Sequence, residues 1–148
     1  MKKENIKTLI ISLLSIALVI AMIMALGSCF TARLSAVGEE KTWTAENSSA
    51  ITELEIKISA GEIKIELGDE FSLTSNLKYL SMTERAGRIG IEETEKNLKD
   101  YNGAFLTIYI PRDLTFASLD IDTGAGTFYA ARLSADEVDF DFGAGDVN

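Results

Sequence analysis

The sequence predicts an all-β fold, a right-handed parallel β-helix (β-solenoid) with rungs of about 19–20 residues. The main observation is a repeat, because residues 119–128 (LDIDTGAGTF) recur as residues 138–147 (VDFDFGAGDV). A weaker third copy is present at residues 54–63 (LEIKISAGEI). Each copy alternates apolar with charged or polar residues up to a glycine-rich corner, which is typical of a half-buried strand that changes direction.

The glycines of the repeat are interpreted as structural corners: Gly61, Gly124, Gly126, Gly143 and Gly145. A tight corner needs either a positive φ angle or the space that a missing Cβ leaves. Glycine-rich turns also bind phosphate when they open a helix. Here strands are predicted on both sides of each corner and no Lys-Ser/Thr pair follows, which favours the structural interpretation.

Alternation predicts the other strands in order along the chain. A strand before residue 111 is expected to end there, since proline has no N–H to donate to a sheet. Residues 77–103 are the least regular part, and the charged run at residues 92–100 is predicted to be a solvated loop. The apolar positions predicted to face the core are Leu54, Ile56, Ile58, Ile63, Ile65, Leu67, Phe71, Leu73, Ile89, Ile91, Leu106, Ile108, Ile110, Ile121 and Phe140.

A long uncharged stretch predicts a transmembrane helix or signal segment over residues 8–30. As a helix it would span about 35 Å, enough for a bilayer core of about 30 Å. Residues 1–7 contain three lysines and are predicted to be a cytoplasmic tail by the positive-inside rule. Residues 31–49 are then a polar linker and residues 50–148 an extracytoplasmic β-helix domain. The expected location is the bacterial cell membrane, with a single pass and the N-terminus in the cytoplasm.

Cys29 provides an alternative to an uncleaved helix. Residues 26–29 (LGSC) resemble a lipobox, so the chain is alternatively a lipoprotein anchored at Cys29, and secretion after cleavage is a third possibility. The apolar stretch before Cys29 is longer than is usual for a cleaved segment. At the other end no terminal cap is visible near Asn148, so the β-helix is expected to continue in a longer protein.

Composition and charge argue against several functional classes. The chain carries a net charge of −9 and has no histidine, which removes His-based catalytic triads and disfavours binding to nucleic acid. Stacked carboxylates make four residues candidates for calcium binding: Asp120, Asp122, Asp139 and Asp141. Their simpler interpretation is the outward half of the alternation. No catalytic residue, resident metal or cofactor is therefore predicted.

Residues 54–148 resemble a widespread bacterial family of candidate adhesins. The resemblance rests on residues 54–65 (LEIKISAGEIKI), on residues 106–113 (LTIYIPRD) and on the Gly-Ala-Gly repeats that end at residues 143–148 (GAGDVN). It implies a domain of unknown function that forms a right-handed β-helix, often behind an N-terminal membrane anchor. It implies no catalytic residue, because the family has no catalytic motif.

The predicted function is a membrane-anchored, extracytoplasmic, adhesin-like binding or display module that is not an enzyme. Its predicted partners are the membrane, through residues 8–30, and an extracellular protein or glycan. The alternative is an envelope sensor or regulatory subunit.

Overall fold

The computed structural model describes residues 35–95, 98 and 100–148, which form eight β-strands and a short 3₁₀ helix at Ser48–Ala50. All eight strands belong to one sheet of mixed strand orientation, which confirms the all-β prediction. The strands are β1 (Val37–Thr44), β2 (Glu53–Gly68), β3 (Ser72–Leu77), β4 (Leu80–Arg85), β5 (Arg88–Glu93), β6 (Phe105–Pro111), β7 (Phe116–Ala130) and β8 (Ala135–Val147). β1 lies inside the segment that the sequence predicts to be a linker.

Three parallel neighbours, β2, β7 and β8, carry the three copies of the repeat. Leu54 pairs with Leu119, and Leu119 pairs with Val138, so the alignment of the copies is confirmed. The corners share this register, since Gly61 lies beside Gly126. We call the residues before the corner of each strand its first arm and those after it its second arm.

Two shorter strands share the other edge of β2. β5 runs parallel to the first arm of β2, with Ile91 beside Ile56. β6 runs parallel to the second arm, with Leu106 beside Ile63, and ends at Pro111 as predicted. β2 is therefore the central strand, with β7 along one edge and β5 and β6 in succession along the other.

The remaining pairings are antiparallel. β4 and β5 form a hairpin around Ala86 and Gly87, which both have positive φ angles, 49° and 83°, as in tight two-residue turns. β3 pairs antiparallel with both β1 and β6. Apart from β7 and β8, the strand order across the sheet is β1-β3-β6-β2-β5-β4.

The predicted right-handed parallel β-helix is wrong. A solenoid requires every unit to stack on the previous one at a constant spacing. That spacing holds between β7 and β8, but residues 69–115 separate β2 from β7 and form β3 to β6 instead of rungs. The antiparallel pairs β1–β3, β3–β6 and β4–β5 have no place in a parallel solenoid.

The core lies on one side of the sheet, and the glycine corners let both arms of each strand contribute side chains to it. In β2 the buried residues are Leu54, Ile56 and Ile58 before the corner but Ile63 and Ile65 after it, so burial changes from even to odd positions. An alternation changes phase only where the chain departs from a regular strand. The glycine segment provides that departure and lets both arms bury their apolar side chains.

The prediction of a single-pass protein of the bacterial cell membrane, with a transmembrane helix before the β-domain, is corrected by the structure. Within residues 35–95, 98 and 100–148, no helix is long and apolar enough to cross a membrane. The predicted tail at residues 1–7 and the predicted span at residues 8–30 lie outside the described residues.

Candidate functional site

The outward face of β2, β7 and β8 is the candidate functional site, because the charged residues of the repeat align there. Parallel register places Glu55 beside Asp120, and Asp120 beside Asp139. We call these three residues the acidic row. Carboxylates on adjacent strands repel one another, so this row favours a cationic neighbour.

A second row, which we call the mixed row, consists of Lys57, Asp122 and Asp141 on the same three strands. The ammonium of Lys57 forms an ion pair with the carboxylate of Glu55 on its own strand. The pKa of Lys57 is raised, first by the hydrogen bond to Glu55 and that residue's charge, and then by the charges of Asp120 and Asp122. Lys57 therefore balances acidic groups on both β2 and β7.

Arg88 on β5 is a further cation near the acidic row. Its Nη2 lies 3.2 Å from Glu55 Oε2 and its Nε lies 3.7 Å from Glu53 Oε2. The pKa of Glu55 is lowered, first by the hydrogen bond from Lys57 and also by Arg88, while partial burial acts in the opposite direction. Positive charge is thus concentrated on β2 and β5, whereas β8 contains five acidic residues and no basic one.

β8 forms the open side of this stack. In the part of the chain that the structure describes, it pairs with β7 alone, so one of its edges presents backbone N–H and C=O groups that no strand uses. Val138 is 59% exposed, Phe140 38% and Val147 51%. Their partners on β7 include Leu119 and Ile121, which are each 1% exposed.

Aromatic rings order the apolar side of β8. The ring centroid of Phe140 lies 5.1 Å from that of Phe128 in an edge-to-face arrangement. The ring of Phe142 is almost parallel to that of Phe140, with the centroids 6.2 Å apart. These spacings are favourable for aromatic pairs, so Phe140 is held in place while part of its ring remains exposed.

The corner glycines allow the strands to approach closely. Gly126 and Gly145 have φ angles of +133° and +135°. A Cβ on Gly126 would overlap the carbonyl oxygen of Gly61, and one on Gly145 would overlap that of Gly126. A Cβ on Gly124 or Gly143 would also overlap a backbone carbonyl of the neighbouring strand. The geometry at each position thus gives a physical reason for glycine.

A buried carboxyl group lies beside the corner of β2, where the sequence predicts a solvated loop. Glu93 is 5% exposed and accepts hydrogen bonds from the backbone N–H of Ser59 at 3.1 Å and from the hydroxyl of Tyr101 at 2.8 Å. Burial raises the pKa of Tyr101, and Glu93 raises it further. The missed signal was the alternation of Ile89 and Ile91, which places Glu93 on the same inward face.

A cleft of about 210 Å³ opens between the mixed row and this buried carboxyl group. Its lining combines one ammonium group with three carboxyl groups, which suits polar contacts. The residues that line it are Lys57, Ile58, Ser59, Glu92, Glu93, Asp122 and Gly124. A second cleft, of about 440 Å³, lies away from the rows and is lined by Ser48, Ser49, Gly68, Asp69, Pro111, Arg112, Asp113 and Leu114.

The four calcium candidates form two pairs on adjacent strands: Asp120 with Asp139, and Asp122 with Asp141. Among the residues that have described positions, no group of three or more His, Cys, Asp or Glu side chains is arranged to hold a metal ion. Calcium binding by these pairs stays a prediction. The lipidation candidate Cys29 lies outside the described residues.

Comparison with solved structures finds proteins whose folds are similar to that of this chain. No family model and no curated protein matches this chain. A candidate cell adhesion protein of Clostridium sporogenes has a similar structure, with a TM-score of 0.53 and 15% identity over 74% of this chain and 58% of that one. A candidate adhesin of Bacteroides fragilis has a TM-score of 0.51 and 11% identity over 77% and 54%. The likeness concerns the fold alone, and this chain spans little more than half of either structure.

Proposed function

We propose that this protein is a non-catalytic binding module of the adhesin type. It presents the outward face of β2, β7 and β8 to a protein or glycan partner. The observation that carries the proposal is the strand register that aligns the charged residues of β2, β7 and β8 in two rows on one outward face.

The charges of the site support binding over catalysis. The carboxylates of the acidic row lie on the outward face of neighbouring strands, whereas acid–base catalysis needs groups held around a reacting atom. The strongly negative surface also disfavours nucleic acid as the partner. The fold shared with two candidate adhesion proteins is consistent with this assignment.

The test is a binding screen with the immobilised full-length chain against protein and glycan arrays. We expect at least one partner whose affinity falls about tenfold or more in a variant that combines Asp120→Ala with Asp122→Ala, because these two carboxylates lie in the middle of the two rows. The matched control combines Asp69→Ala with Asp113→Ala, two acidic residues outside these three strands, and it should bind like the parent chain. Equal binding by both variants, or a partner recovered in cleaved form, would contradict the proposal.

A further inference from the structure

The cleft of about 440 Å³ lies where two parallel strands end together. β2 ends at Gly68 and β6 ends at Pro111, and these two residues are register partners. Because the strands run in the same direction, the segments that follow them leave the sheet at the same edge. Asp69 follows β2, and Arg112 and Asp113 follow β6, so three charged side chains line one cleft.

Hydrogen bonds hold the walls of this cleft in place. The backbone N–H of Leu114 donates to the carbonyl of Pro111 at 3.1 Å, so Arg112 lies in a closed turn. The 3₁₀ helix contributes Ser48, whose Oγ accepts a hydrogen bond from the backbone N–H of Phe71 at 2.8 Å. The hydroxyl proton of Ser48 can still donate to a ligand. Walls that are fixed in this way lower the entropy cost of binding.

A neighbouring cleft of about 400 Å³ shares Gly68 and Asp69 with the first cleft and adds an aromatic ring. It is lined by Gly68, Asp69, Glu70, Ser72 and Tyr109. A Cβ on Gly68 would lie 3.0 Å from the Cβ of Tyr109, so glycine leaves space beside this half-buried tyrosine. We call the two clefts together the double cleft.

The charges of the double cleft favour an uncharged ligand that is rich in hydroxyl groups. Its three carboxylates, on Asp69, Glu70 and Asp113, would repel an anion. A cation would leave the donors of Arg112 unused, and in the part of the chain that the structure describes this guanidinium forms no ion pair. Across the same residues, no group of three or more acidic side chains is arranged to hold a metal ion. A hydroxyl group both donates and accepts, so it can satisfy the carboxylates and the guanidinium.

Apolar surface in each cleft suits the carbon face of a sugar ring. Tyr109 provides an aromatic ring in one cleft, and Pro111 and Leu114 provide aliphatic carbon in the other. Ligand sites usually combine such apolar surface with a few fixed polar groups. Because the two clefts share Asp69, they suit successive rings of one saccharide chain.

We propose that the double cleft binds a neutral oligosaccharide. One sugar ring packs against Tyr109, the next ring lies beside Arg112, and Asp69 accepts hydrogen bonds from both rings. Arg112 donates to hydroxyl oxygens of the second ring. The double cleft is separate from the acidic and mixed rows, so this inference goes beyond the proposed function.

Calorimetric titration of the full-length chain with cellotriose, maltotriose and triacetylchitotriose tests this inference. We expect at least one of these neutral trisaccharides to bind with a Kd of about 1 mM or lower. Its affinity should fall about tenfold in Tyr109→Ala, which removes the ring, and in Arg112→Ala, which removes the donors. The matched controls are Tyr129→Ala, at an aromatic residue that is 44% exposed on β7, and Arg85→Ala, at an exposed arginine on β4. Both controls should bind like the parent chain.

Further variants and probes separate the possible outcomes. Tyr109→Phe keeps the ring and should retain binding, and thermal denaturation shows whether each variant is folded. Arg112→Ala changes an exposed turn and tests the site even if Tyr109→Ala does not fold. Phosphate binding that depends on Arg112, trilysine binding that depends on Asp69, or failure of all three trisaccharides to bind would overturn the inference.

The double cleft and the rows can be tested independently. A saccharide in the double cleft should lose affinity when Asp69→Ala is combined with Asp113→Ala, and keep it when Asp120→Ala is combined with Asp122→Ala. A partner bound by the rows should show the reverse. Saccharide binding that is lost only in the variant of the rows would overturn this inference and leave the proposed function in place.

Discussion

Gly126 satisfies two requirements that no other residue type meets. Its φ angle of +133° disfavours any residue with a Cβ, and a Cβ would also overlap the carbonyl oxygen of Gly61 on β2. We therefore expect Gly126→Ala to lower the free energy of unfolding by about 3 kcal/mol or more, from backbone strain and overpacking together. Urea denaturation of the parent and the variant measures this loss.

Gly103 provides the control for that prediction. It also has a positive φ angle, +74°, but a Cβ there would meet nothing within 4 Å. Gly103→Ala should therefore cost about 1–2 kcal/mol from the backbone alone. A Gly126→Ala variant that is no less stable than Gly103→Ala would show that the strands are not in close contact at the corner.

The hydrogen bond between Tyr101 and Glu93 predicts a stability loss at high pH. The pKa of Tyr101 is raised above the ordinary value of 10.0, first by burial and then by Glu93, so the folded protein holds the phenolic proton more tightly than the unfolded chain does. Its contribution is complete below pH 10 and is lost as the pH rises through the folded-state pKa. Unfolding experiments above and below pH 10 should show this decrease.

Substitution of Tyr101 tests the assignment of that pH effect. Tyr101→Phe leaves the buried Oε1 of Glu93 without the hydroxyl donor at 2.8 Å and should cost about 1–3 kcal/mol at neutral pH. It should also reduce the decrease in stability above pH 10. Tyr129→Phe, at a site that is 44% exposed, should change neither quantity. An unchanged pH profile in Tyr101→Phe would assign the effect to another group.

At the residue scale, sequence reasoning was accurate where side-chain type and environment agree. Leu54 and Ile121 were expected to face inward and are each 1% exposed. Glu93 was missed because a charged residue in a charged run is usually solvated, whereas here the backbone of Ser59 and the hydroxyl of Tyr101 compensate its burial. Phe140 was expected inward as well, and its partial exposure depends on β8 having one neighbour, which its local pattern does not encode.

At the scale of the element, β7 and β8 have the same pattern but different neighbours. Ile121 lies on β7 between two strands, so Ile121→Asp places a charge in the core and should cost more than about 4 kcal/mol and unfold the domain. Phe140→Asp on the open strand should cost about 1–2 kcal/mol, since the ring is only partly buried. Circular dichroism and thermal denaturation of both variants measure this difference in stability. Equal losses of stability would show that another strand covers β8.

Hydrogen exchange provides an independent measurement of the same difference. Among the strands that the structure describes, β8 pairs with β7 alone, whereas β7 pairs with β2 and β8. We expect the amides of β8 to exchange through local opening while those of β2 require global unfolding. Mass spectrometry of exchanged peptides from the free chain would distinguish the two strands. Equal protection of β2 and β8 would mean that β8 does not open separately.

Element prediction succeeded for strands that alternate and failed for β1, which does not. β2, β6, β7 and β8 were expected because their apolar residues recur at every second position. β1 was assigned to a linker because Val37 and Trp43 are the partly buried positions in a strand that is otherwise exposed. An edge strand that contributes few side chains to the core carries little of the pattern on which such prediction depends.

At the scale of the whole molecule, excess negative charge should make stability depend on salt. The chain has a net charge of −9, and the acidic residues of β7 and β8 lie on adjacent strands. Raising the salt concentration from about 10 mM to about 150 mM shortens the screening length from roughly 30 Å to roughly 8 Å and should raise the melting temperature. Combining Asp139→Asn with Asp141→Asn should reduce this dependence, and an unaltered salt effect would place the repulsion elsewhere.

The topology of the whole molecule was the least predictable feature. The repeat correctly aligned Leu54 with Leu119 and Val138, and this alignment suggested a continuous stack. It did not reveal that residues 69–115 return to β2 by another route and supply β5 and β6 to its free edge. Those pairings join segments far apart in sequence, and their strands carry no motif that identifies the partner.

The glycine corners also limit the length of any strand that adds to β8. Between neighbouring strands, the carbonyl oxygen of one corner residue occupies the space where a Cβ on the next corner would lie. The oxygen of Gly61 does so at Gly126, and the oxygen of Gly126 does so at Gly145. A segment without glycines at matching positions can therefore follow β8 only along its first arm, Ala135 to Phe142, and must diverge before Gly143. Extension along both arms requires a strand with its own glycine corner, so the corner restricts which strands can stack on β8 along their whole length.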